Sequence, residues 1–269
     1  MTSPNVPVET EPGLQLLALP ALSDNIIWML HDGTHALVVD PGESAPVAQI
    51  IREKNLHLTG VLITHHHFDH VDGLRELQPL LEGPVWGPNE ALPIPAQACS
   101  DGQVVRWAGT SFAVIDVPGH TLGHVAFIQQ EVPAPLLFCG DTLFSVGCGK
   151  VFEGTPAQMF ASLERLAALP DSTRVCCAHE YTLNNLRWAR TVEPHNEASA
   201  HHEAWCRTQR DQHLYTLPST LALERRINPF LRCSQPDVVA AAQQHAPGLD
   251  GHDKVAVFSC LRKWKNEFR

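Results

Sequence analysis

The chain has 269 residues, of which 44% are hydrophobic, and Asp and Glu outnumber Lys and Arg by 29 to 19. This length accommodates one large domain or a domain with a smaller appendage, and the apolar share excludes a disordered chain. The mean hydropathy is −0.10, and no stretch reaches the roughly 20 consecutive apolar residues of a spanning helix. We therefore predict neither a membrane-spanning protein nor a membrane partner. The net charge of −10 argues against a nucleic-acid partner, because phosphate binding needs clustered cations.

The charge is unevenly distributed along the chain. Residues 1–180 hold 7 basic and 20 acidic side chains, whereas residues 181–269 hold 12 and 9. The basic C-terminal third can bind a small anion, although two solvated faces of opposite sign explain the charge equally well. The eight cysteines form no C-x-x-C pair, so we interpret them as mostly buried thiols of a reducing compartment. With no basic leader in residues 1–12, we predict a cytoplasmic protein.

Short apolar runs separated by turn signals predict a series of strands in the first two thirds of the chain. A hairpin turn is expected at residues 31–33, and Ser44 is expected to cap a helix that extends to about Lys54. The predicted strands are 14–19, 25–30, 36–39, 61–64, 85–86, 104–107, 112–117, 125–129, 136–138 and, as the last one, 174–178.

The clearest helix signal begins at Thr155. Thr155 is the expected N-cap, Pro156 suits the first helical position, and Gln158 completes a capping box. Further on, residues 182–213 are predicted to be helical, 216–235 loop-rich, and 236–268 two helices with a break at 248–251. The pattern therefore predicts an α+β chain with a strand-rich domain over residues 1–176 and a helical domain over 177–269.

The segment Thr64-His65-His66-His67-Phe68-Asp69-His70 is the sharpest local signal. In an extended chain His65 and His67 point the same way and can share one metal ion. Asp69 and His70 add a carboxylate and an imidazole, which zinc and similar divalent ions accept. A solvated histidine tract is the usual alternative, but this one directly follows a predicted strand.

Three further turns at predicted strand ends carry a metal-binding side chain: His120, Asp141 and His179. Taken singly, each is most simply a capping or hydrogen-bonded polar residue. Four such turns, including the histidine segment, can converge on one sheet edge, and this joint pattern predicts a metal site. Cys139 lies beside Asp141, and we interpret it as a packing residue, not as a nucleophile.

The T-H-x-H-x-D-H segment with the later His, Asp and His resembles the metallo-β-lactamase superfamily, whose fold is an αββα sandwich. The resemblance implies two divalent metal ions, with zinc the first candidate and iron or manganese left open. It assigns neither His66 nor His124 as a ligand. It implies that His65, His67 and His120 hold one ion, that Asp69, His70 and His179 hold the other, and that Asp141 bridges them.

Other segments resemble the glyoxalase II (hydroxyacylglutathione hydrolase) family from about residue 14 to the C-terminus. They are Cys148-Gly149-Lys150-Val151-Phe152-Glu153-Gly154, Tyr181-Thr182, and the runs at 217–221, 227–230 and 261–265. In that family a small helical domain follows the sandwich. The resemblance implies hydrolysis of S-D-lactoylglutathione to glutathione and D-lactate, the second step of methylglyoxal detoxification, by attack of a metal-bridging hydroxide.

The resemblance also implies roles for individual residues. Asp69 and Asp141 are the implied catalytic carboxylates. The implied contacts to glutathione are Lys150, Phe152, Tyr181, Arg262 and Lys265. Phe152 departs from the pattern, because some members have a Tyr there whose hydroxyl contacts the peptide. Since glutathione thioesters carry carboxylates, the cationic tail suits them; an ordinary solvated helix end is the alternative.

Three other functions compete with this interpretation. A persulfide dioxygenase of the same superfamily shares the His/Asp segment and glutathione recognition but holds a single iron. A class B β-lactamase is normally exported, which the missing leader disfavours. A metal-stabilised scaffold needs only about four ligands around one closed site, and seven candidates exceed that number. No sequence signal addresses oligomeric state, and we favour a monomer that acts on a small molecule.

Overall fold

The computed structural model describes residues 8–9, 13–130 and 132–268. The chain folds into two compact units, each assembled from several stretches. Unit 1 contains the described parts of residues 1–116, 123–140 and 176–180. Unit 2 contains those of residues 117–122, 141–175 and 181–269.

Unit 1 contains a mixed sheet of seven strands that follow one another in chain order. The first four strands pair antiparallel, and the fourth to the seventh pair parallel. The strands are β1 (Val8–Glu9), β2 (Gln15–Ala21), β3 (Asn25–His31), β4 (His35–Val39), β5 (His57–Leu62), β6 (Val85–Pro88) and β7 (Gln97–Cys99). The hairpin predicted at residues 31–33 is confirmed, since β3 and β4 are antiparallel neighbours with His31 opposite Ala36.

Four antiparallel strands form a second layer of unit 1. They pair in chain order, and the aromatic rings of Phe112, Phe127 and Phe138 are buried among them. Every residue of the third strand is buried, and four of its five residues are apolar. These strands, all predicted from the sequence, are β8 (Val104–Trp107), β9 (Thr110–Asp116), β10 (Val125–Gln129) and β11 (Leu136–Phe138).

The helices of unit 1 are α1 (Ser44–Lys54), α2 (Phe68–Val71) and α3 (Leu74–Leu77), followed by a 3-10 turn at Gln78–Leu80. The predicted cap at Ser44 is wrong. Glu43 holds the N-cap position without a side-chain cap bond, and the Ser44 hydroxyl instead donates to the Glu76 carboxylate. A strand predicted at 61–64 in fact ends at Leu62, because the backbone of Thr64 turns to donate its N–H to Asp40.

The helices of unit 2 begin with α4, whose predicted capping box is confirmed: Thr155 accepts from the Gln158 N–H, and Gln158 accepts from the Thr155 N–H. The two helices predicted on either side of residues 248–251 are also confirmed. In the described residues, no helix is long and apolar enough to span a membrane. The helices are α4 (Pro156–Ala167), α5 (Thr182–Val192), α6 (Glu197–Asp211), α7 (Leu221–Ile227), α8 (Pro236–His245) and α9 (Lys254–Glu267).

Unit 2 also contains four very short strands: β12 (Leu143–Phe144), β13 (Gly147–Cys148), β14 (Arg174–Cys176, whose last residue is assigned to unit 1) and β15 (Ser219–Thr220). Two sequence predictions are wrong here. The strand at 174 is shorter than expected and is not the last, since β15 pairs antiparallel with it. The stretch 216–235 is not a loop, because it holds β15, α7 and a 3-10 turn at Pro229–Leu231. A strand of two residues shows no alternation, and a helix of seven residues completes only about two turns, so neither β15 nor α7 gives a clear periodic pattern.

The prediction that the cysteines are mostly buried free thiols is confirmed. All eight lie within the described residues, are buried and form no disulfide. Cys139 in particular is fully buried, as expected of a packing residue.

Candidate active site

The His/Asp segment follows strand β5 in unit 1 and leads into the short helix α2. His67 immediately precedes the helix, which carries Asp69 and His70 on its single turn. The ring centroids of His65 and His67 are 4.8 Å apart, and those of His65 and His70 are 4.1 Å apart. The strand end and the helical turn therefore gather four predicted ligands into one small region.

Three of the predicted ligands form a donor set in unit 1. The Asp69 Oδ2 atom lies 3.5 Å from His70 Nε2 and 3.5 Å from His179 Nε2. Both histidines are buried, and the three ligand atoms lie within 4.8 Å of one another. Two imidazole nitrogens and one carboxylate oxygen at this spacing suit a divalent metal ion.

Each of these two histidines has a carboxylate behind its ring. His70 Nδ1 is 3.1 Å from Asp40 Oδ2, and His179 Nδ1 is 2.7 Å from Asp24 Oδ1. A carboxylate at Nδ1 holds the proton there and turns the lone pair of Nε2 toward a metal. The donor set therefore fits a metal ion in its orientation as well as in its composition.

Other polar side chains fix these carboxylates. Thr64 donates its N–H to Asp40 Oδ1 at 2.8 Å and its hydroxyl to Asp40 Oδ2 at 2.7 Å. Asn25 Nδ2 donates to Asp69 Oδ2 at 3.1 Å. Sequence reasoning missed Asp24, Asn25 and Asp40. A carboxylate at the end of a buried strand is a usable signal for Asp40, but Asp24 is 155 residues from His179 and offers none.

The two remaining predicted ligands, His120 and Asp141, lie in unit 2. His120 Nε2 is 3.4 Å from Asp141 Oδ2, and its Nδ1 donates to the Lys150 carbonyl at 2.8 Å. Gly119 allows the turn that leads into His120 to approach α4 closely, because a Cβ on residue 119 would lie only 2.7 Å from the Met159 Cα. The glycine thus allows the His120 turn to sit directly on that helix.

A cavity of about 460 Å³ in unit 2 is lined by His120, Asp141 and all five predicted glutathione contacts, Lys150, Phe152, Tyr181, Arg262 and Lys265. The structure therefore brings these residues together. Lys150 is exposed and Tyr181 half-buried. Phe152 is 63% exposed, and its ring centroid lies 5.2 Å from that of His120. The cavity combines three cations with an apolar ring beside two candidate ligands.

The two C-terminal cations differ in environment. Arg262 is only 7% exposed and donates from a terminal nitrogen to the Cys148 carbonyl at 2.7 Å. Lys265 Nζ donates to the Asn184 carbonyl at 3.3 Å. Burial, together with Arg262 and Arg187, lowers the pKa of Lys265 to about 8. A buried arginine excludes the alternative of a wholly solvated helix end.

Comparison with known sequences identifies the family. The metallo-beta-lactamase superfamily matches residues 23–179, and the hydroxyacylglutathione hydrolase C-terminus matches residues 180–268. The hydroxyacylglutathione hydrolase of Albidiferax ferrireducens is 51% identical over 257 residues, which are 95% of this chain and 100% of the relative. The chain belongs to the hydroxyacylglutathione hydrolase family.

A second member of the family, from Pseudomonas entomophila, is 48% identical over 263 residues and again covers 95% of this chain and 100% of its own. Among solved structures, that of ETHE1 from Myxococcus xanthus has a TM-score of 0.62 at 22% identity, covering 91% of this chain and 89% of that one. The latter likeness concerns the fold alone. The predicted fold class, an α+β metallo-β-lactamase fold followed by a helical C-terminal domain, is confirmed.

Proposed function

We propose that the chain hydrolyses S-2-hydroxyacylglutathione thioesters, including S-D-lactoylglutathione, to glutathione and the 2-hydroxy acid. The family's name states a hydroxyacylglutathione as the substrate, and full-length identity of 51% to a relative of that name supports the same activity here. The observation that carries the proposal is the unit 2 cavity, in which Lys150, Arg262 and Lys265 accompany His120 and Asp141. Its cations suit the carboxylates of glutathione.

We also propose that seven ligands hold two divalent metal ions, with zinc as the first candidate over iron or manganese. The donor chemistry of the unit 1 set and the carboxylates behind His70 and His179 support this. When bound, such ions lower the pKa of water to about 7 and polarise a carbonyl oxygen. The proposed ligands are His65, His67 and His120 for one ion, Asp69, His70 and His179 for the other, and Asp141 for both.

The residues of the chain then have distinct tasks. Asp24 and Asp40 orient the imidazoles, and Asn25 orients Asp69. Both tasks keep the ligands in one geometry, so that little reorganisation is needed during the reaction. The cavity residues hold the glutathione part of the substrate, Lys150, Arg262 and Lys265 through their charge and Tyr181 and Phe152 through their rings.

The deciding experiment is hydrolysis of S-D-lactoylglutathione by the purified protein, with metal content measured on the same sample. We expect release of glutathione and about two metal ions per chain, as the seven-ligand proposal requires. A fully metallated protein that does not hydrolyse the thioester contradicts the proposal. Oxygen uptake with glutathione persulfide and a single iron would then assign the chain to the dioxygenase.

The domain division, location and assembly remain proposals as well. We propose a domain boundary at residues 176 and 177, which the meeting of the two family matches at 179 and 180 supports. We propose a monomeric cytoplasmic enzyme, and the eight buried thiols outside disulfides suit a reducing compartment. Size-exclusion chromatography with light scattering tests the monomer.

Phe152→Tyr is expected to lower the KM for S-D-lactoylglutathione by about 2- to 10-fold, because one added hydrogen bond contributes about 0.5–1.5 kcal/mol. Phe152 lines the cavity and is 63% exposed, so a hydroxyl fits there without displacing the core. Steady-state kinetics measures the change. Phe152→Leu, which adds no hydroxyl, is the matched control and should not lower KM. A KM that is unchanged or higher in Phe152→Tyr refutes this role.

KM is expected to rise as the pH increases through about 8, the lowered pKa of Lys265. Below this pH the ammonium is charged and binds a substrate carboxylate, and above it the neutral amine does not. The rise should approach about tenfold, since a hydrogen bond to a charged group contributes about 1.5–3 kcal/mol. Initial rates corrected for spontaneous hydrolysis measure it. Lys265→Arg keeps its charge and should flatten the profile; identical profiles for both proteins would contradict the prediction.

A further inference from the structure

A short hairpin lies between the candidate ligand Asp141 and the candidate contact Lys150. Strands β12 and β13 form it, with Ser145 and Val146 as its two loop residues. Every residue from 143 to 148 is buried. We refer to residues 143–148 as the 143–148 hairpin.

This hairpin has little intrinsic stability. Its ladder consists of two residue pairs, and even full-length isolated hairpins are marginal in water. Val146 has a φ of +57°, a region that two-residue hairpin turns usually fill with Gly, Asn or Asp. A β-branched residue there is strained. Groups outside the hairpin must therefore hold it in this shape.

Glu224 on α7 supplies part of that support. Its carboxylate accepts the Val146 N–H at 2.7 Å and the Ser145 hydroxyl at 3.0 Å. The side chain is fully buried. A buried carboxylate that accepts several hydrogen bonds fixes its donors more strongly than a neutral acceptor does. Glu224 thus holds the strained loop residue directly.

Asn228, one residue beyond α7, holds the strands on either side of the loop. Its Nδ2 donates to the Phe144 carbonyl at 3.2 Å and to the Gly147 carbonyl at 3.0 Å. The same nitrogen is 3.1 Å from the Glu224 carboxylate. Asn228 is also fully buried, so Glu224 and Asn228 form one hydrogen-bonded pair that engages the hairpin at four points.

Two contacts connect the hairpin to the candidate site. The Gly149 N–H donates to the Thr142 carbonyl at 3.2 Å. The Gly149 backbone also packs directly against the Asp141 carbonyl, because a Cβ on residue 149 would overlap that oxygen. On the other side, the Lys150 carbonyl accepts from His120 Nδ1 at 2.8 Å. A shift of the hairpin therefore displaces Asp141 at one end and Lys150 with His120 at the other.

We propose that Glu224 and Asn228 are positioning residues for the hydrolysis, which set Asp141, His120 and Lys150 by fixing the 143–148 hairpin. This inference rests on the proposed function for the reaction that it serves. Neither residue lines the cavity as described, so both act through the hairpin and not by touching substrate. Misplacement by about 1 Å from a distant change can lower a rate about 100-fold.

Glu224→Gln tests the proposal, because it keeps the size of the side chain but leaves one acceptor oxygen, which cannot accept from both the Val146 N–H and the Ser145 hydroxyl as the two carboxylate oxygens do. We expect kcat/KM to fall by about 10- to 100-fold, with both a lower kcat and a higher KM. The affinity for the more weakly held metal ion, measured by chelator competition, should fall about tenfold, in the range of outer-shell changes. Asn228→Ser, which removes the Nδ2 donors, should show the same combination.

Glu193→Gln is the matched control. Glu193 is buried in the same unit and pairs with Arg232 at 2.8 Å, and Arg232 donates to the Arg225 carbonyl on α7, so the substitution disturbs the surroundings of α7 but removes no hydrogen bond to the hairpin. It should lower Tm without changing kcat, KM or metal affinity. If Glu224→Gln and Asn228→Ser also lower only Tm, their role is merely structural and the proposal is overturned. If Glu224→Gln does not fold, Asn228→Ser decides.

A failure of the proposed function is recognised separately, because wild-type protein then does not hydrolyse the thioester. The chelator competition still decides the inference in that case. Weaker metal binding in Glu224→Gln and Asn228→Ser, but not in Glu193→Gln, supports positioning of the ligands. Equal metal binding in all four proteins overturns it.

Discussion

Asp141→Asn is expected to lower kcat/KM for S-D-lactoylglutathione by about 1,000-fold or more, since metal-ion charge stabilisation supplies several kcal/mol and each ~1.4 kcal/mol is tenfold. Asp141 is 9% exposed, and its Oδ2 lies 3.4 Å from His120 Nε2. The amide keeps the shape of the side chain but loses the charge that Asp141 supplies in its proposed role as a shared ligand of two cations. Metal content should therefore fall from about two toward one per chain. Steady-state kinetics and elemental analysis of the same sample measure both effects.

The control for this variant is Asp72→Asn. Asp72 lies at the end of helix α2 and is exposed, so the substitution removes a carboxylate near the His/Asp segment without touching the donor set. It should retain both metals and wild-type kinetics. If Asp141→Asn hydrolyses the thioester within about threefold of the wild-type rate, the result contradicts the metal assignment. A threefold change corresponds to less than the ~1.4 kcal/mol of a tenfold change.

The candidate ligands were predictable because their signals are local. His65, His67, Asp69 and His70 fall within six residues directly after a buried strand, and the other ligands end recognisable strands. The fold was predictable for a related reason, since the apolar runs in β3 and β10 mark strands that are buried at every position. Both features depend on short stretches of sequence in which the spacing of the residues determines where their side chains point.

The supporting residues were not predictable for the opposite reason. Asp24 and Asp40 meet His179 and His70 across 155 and 30 positions of the chain, and no local pattern specifies such a pairing. The 143–148 hairpin was missed because strands of two residues show no alternation. The burial of Arg262 was missed as well, because its partner, the Cys148 carbonyl, is 114 residues away.

Asp40 provides the sharpest test of these long-range contacts. Its carboxylate accepts two hydrogen bonds from Thr64 and faces His70 Nδ1 at 3.1 Å. In Asp40→Asn only one amide oxygen remains, so the side chain cannot accept from both Thr64 and His70 as the carboxylate does. The imidazole loses the partner that fixes its tautomer and raises the basicity of its Nε2.

We expect Asp40→Asn to weaken the affinity for the metal ion at His70 by about 10- to 100-fold, the range for outer-shell partners of metal-binding histidines. Chelator competition measures this affinity. Unlike Asp141→Asn, the variant keeps all seven proposed ligands, so most of the wild-type kcat should return when metal is supplied in excess.

Asp32→Asn is the matched control, because Asp32 also pairs with a histidine of unit 1, with its Oδ2 at 3.0 Å from His35 Nδ1, but belongs to the 31–33 hairpin turn. It should leave metal affinity unchanged. If Asp40→Asn binds metal as tightly as Asp32→Asn, the carboxylate behind His70 does not orient a ligand. Its contacts with Thr64 would then only close the end of strand β4, and the metal-binding geometry of unit 1 would depend on the ligands alone.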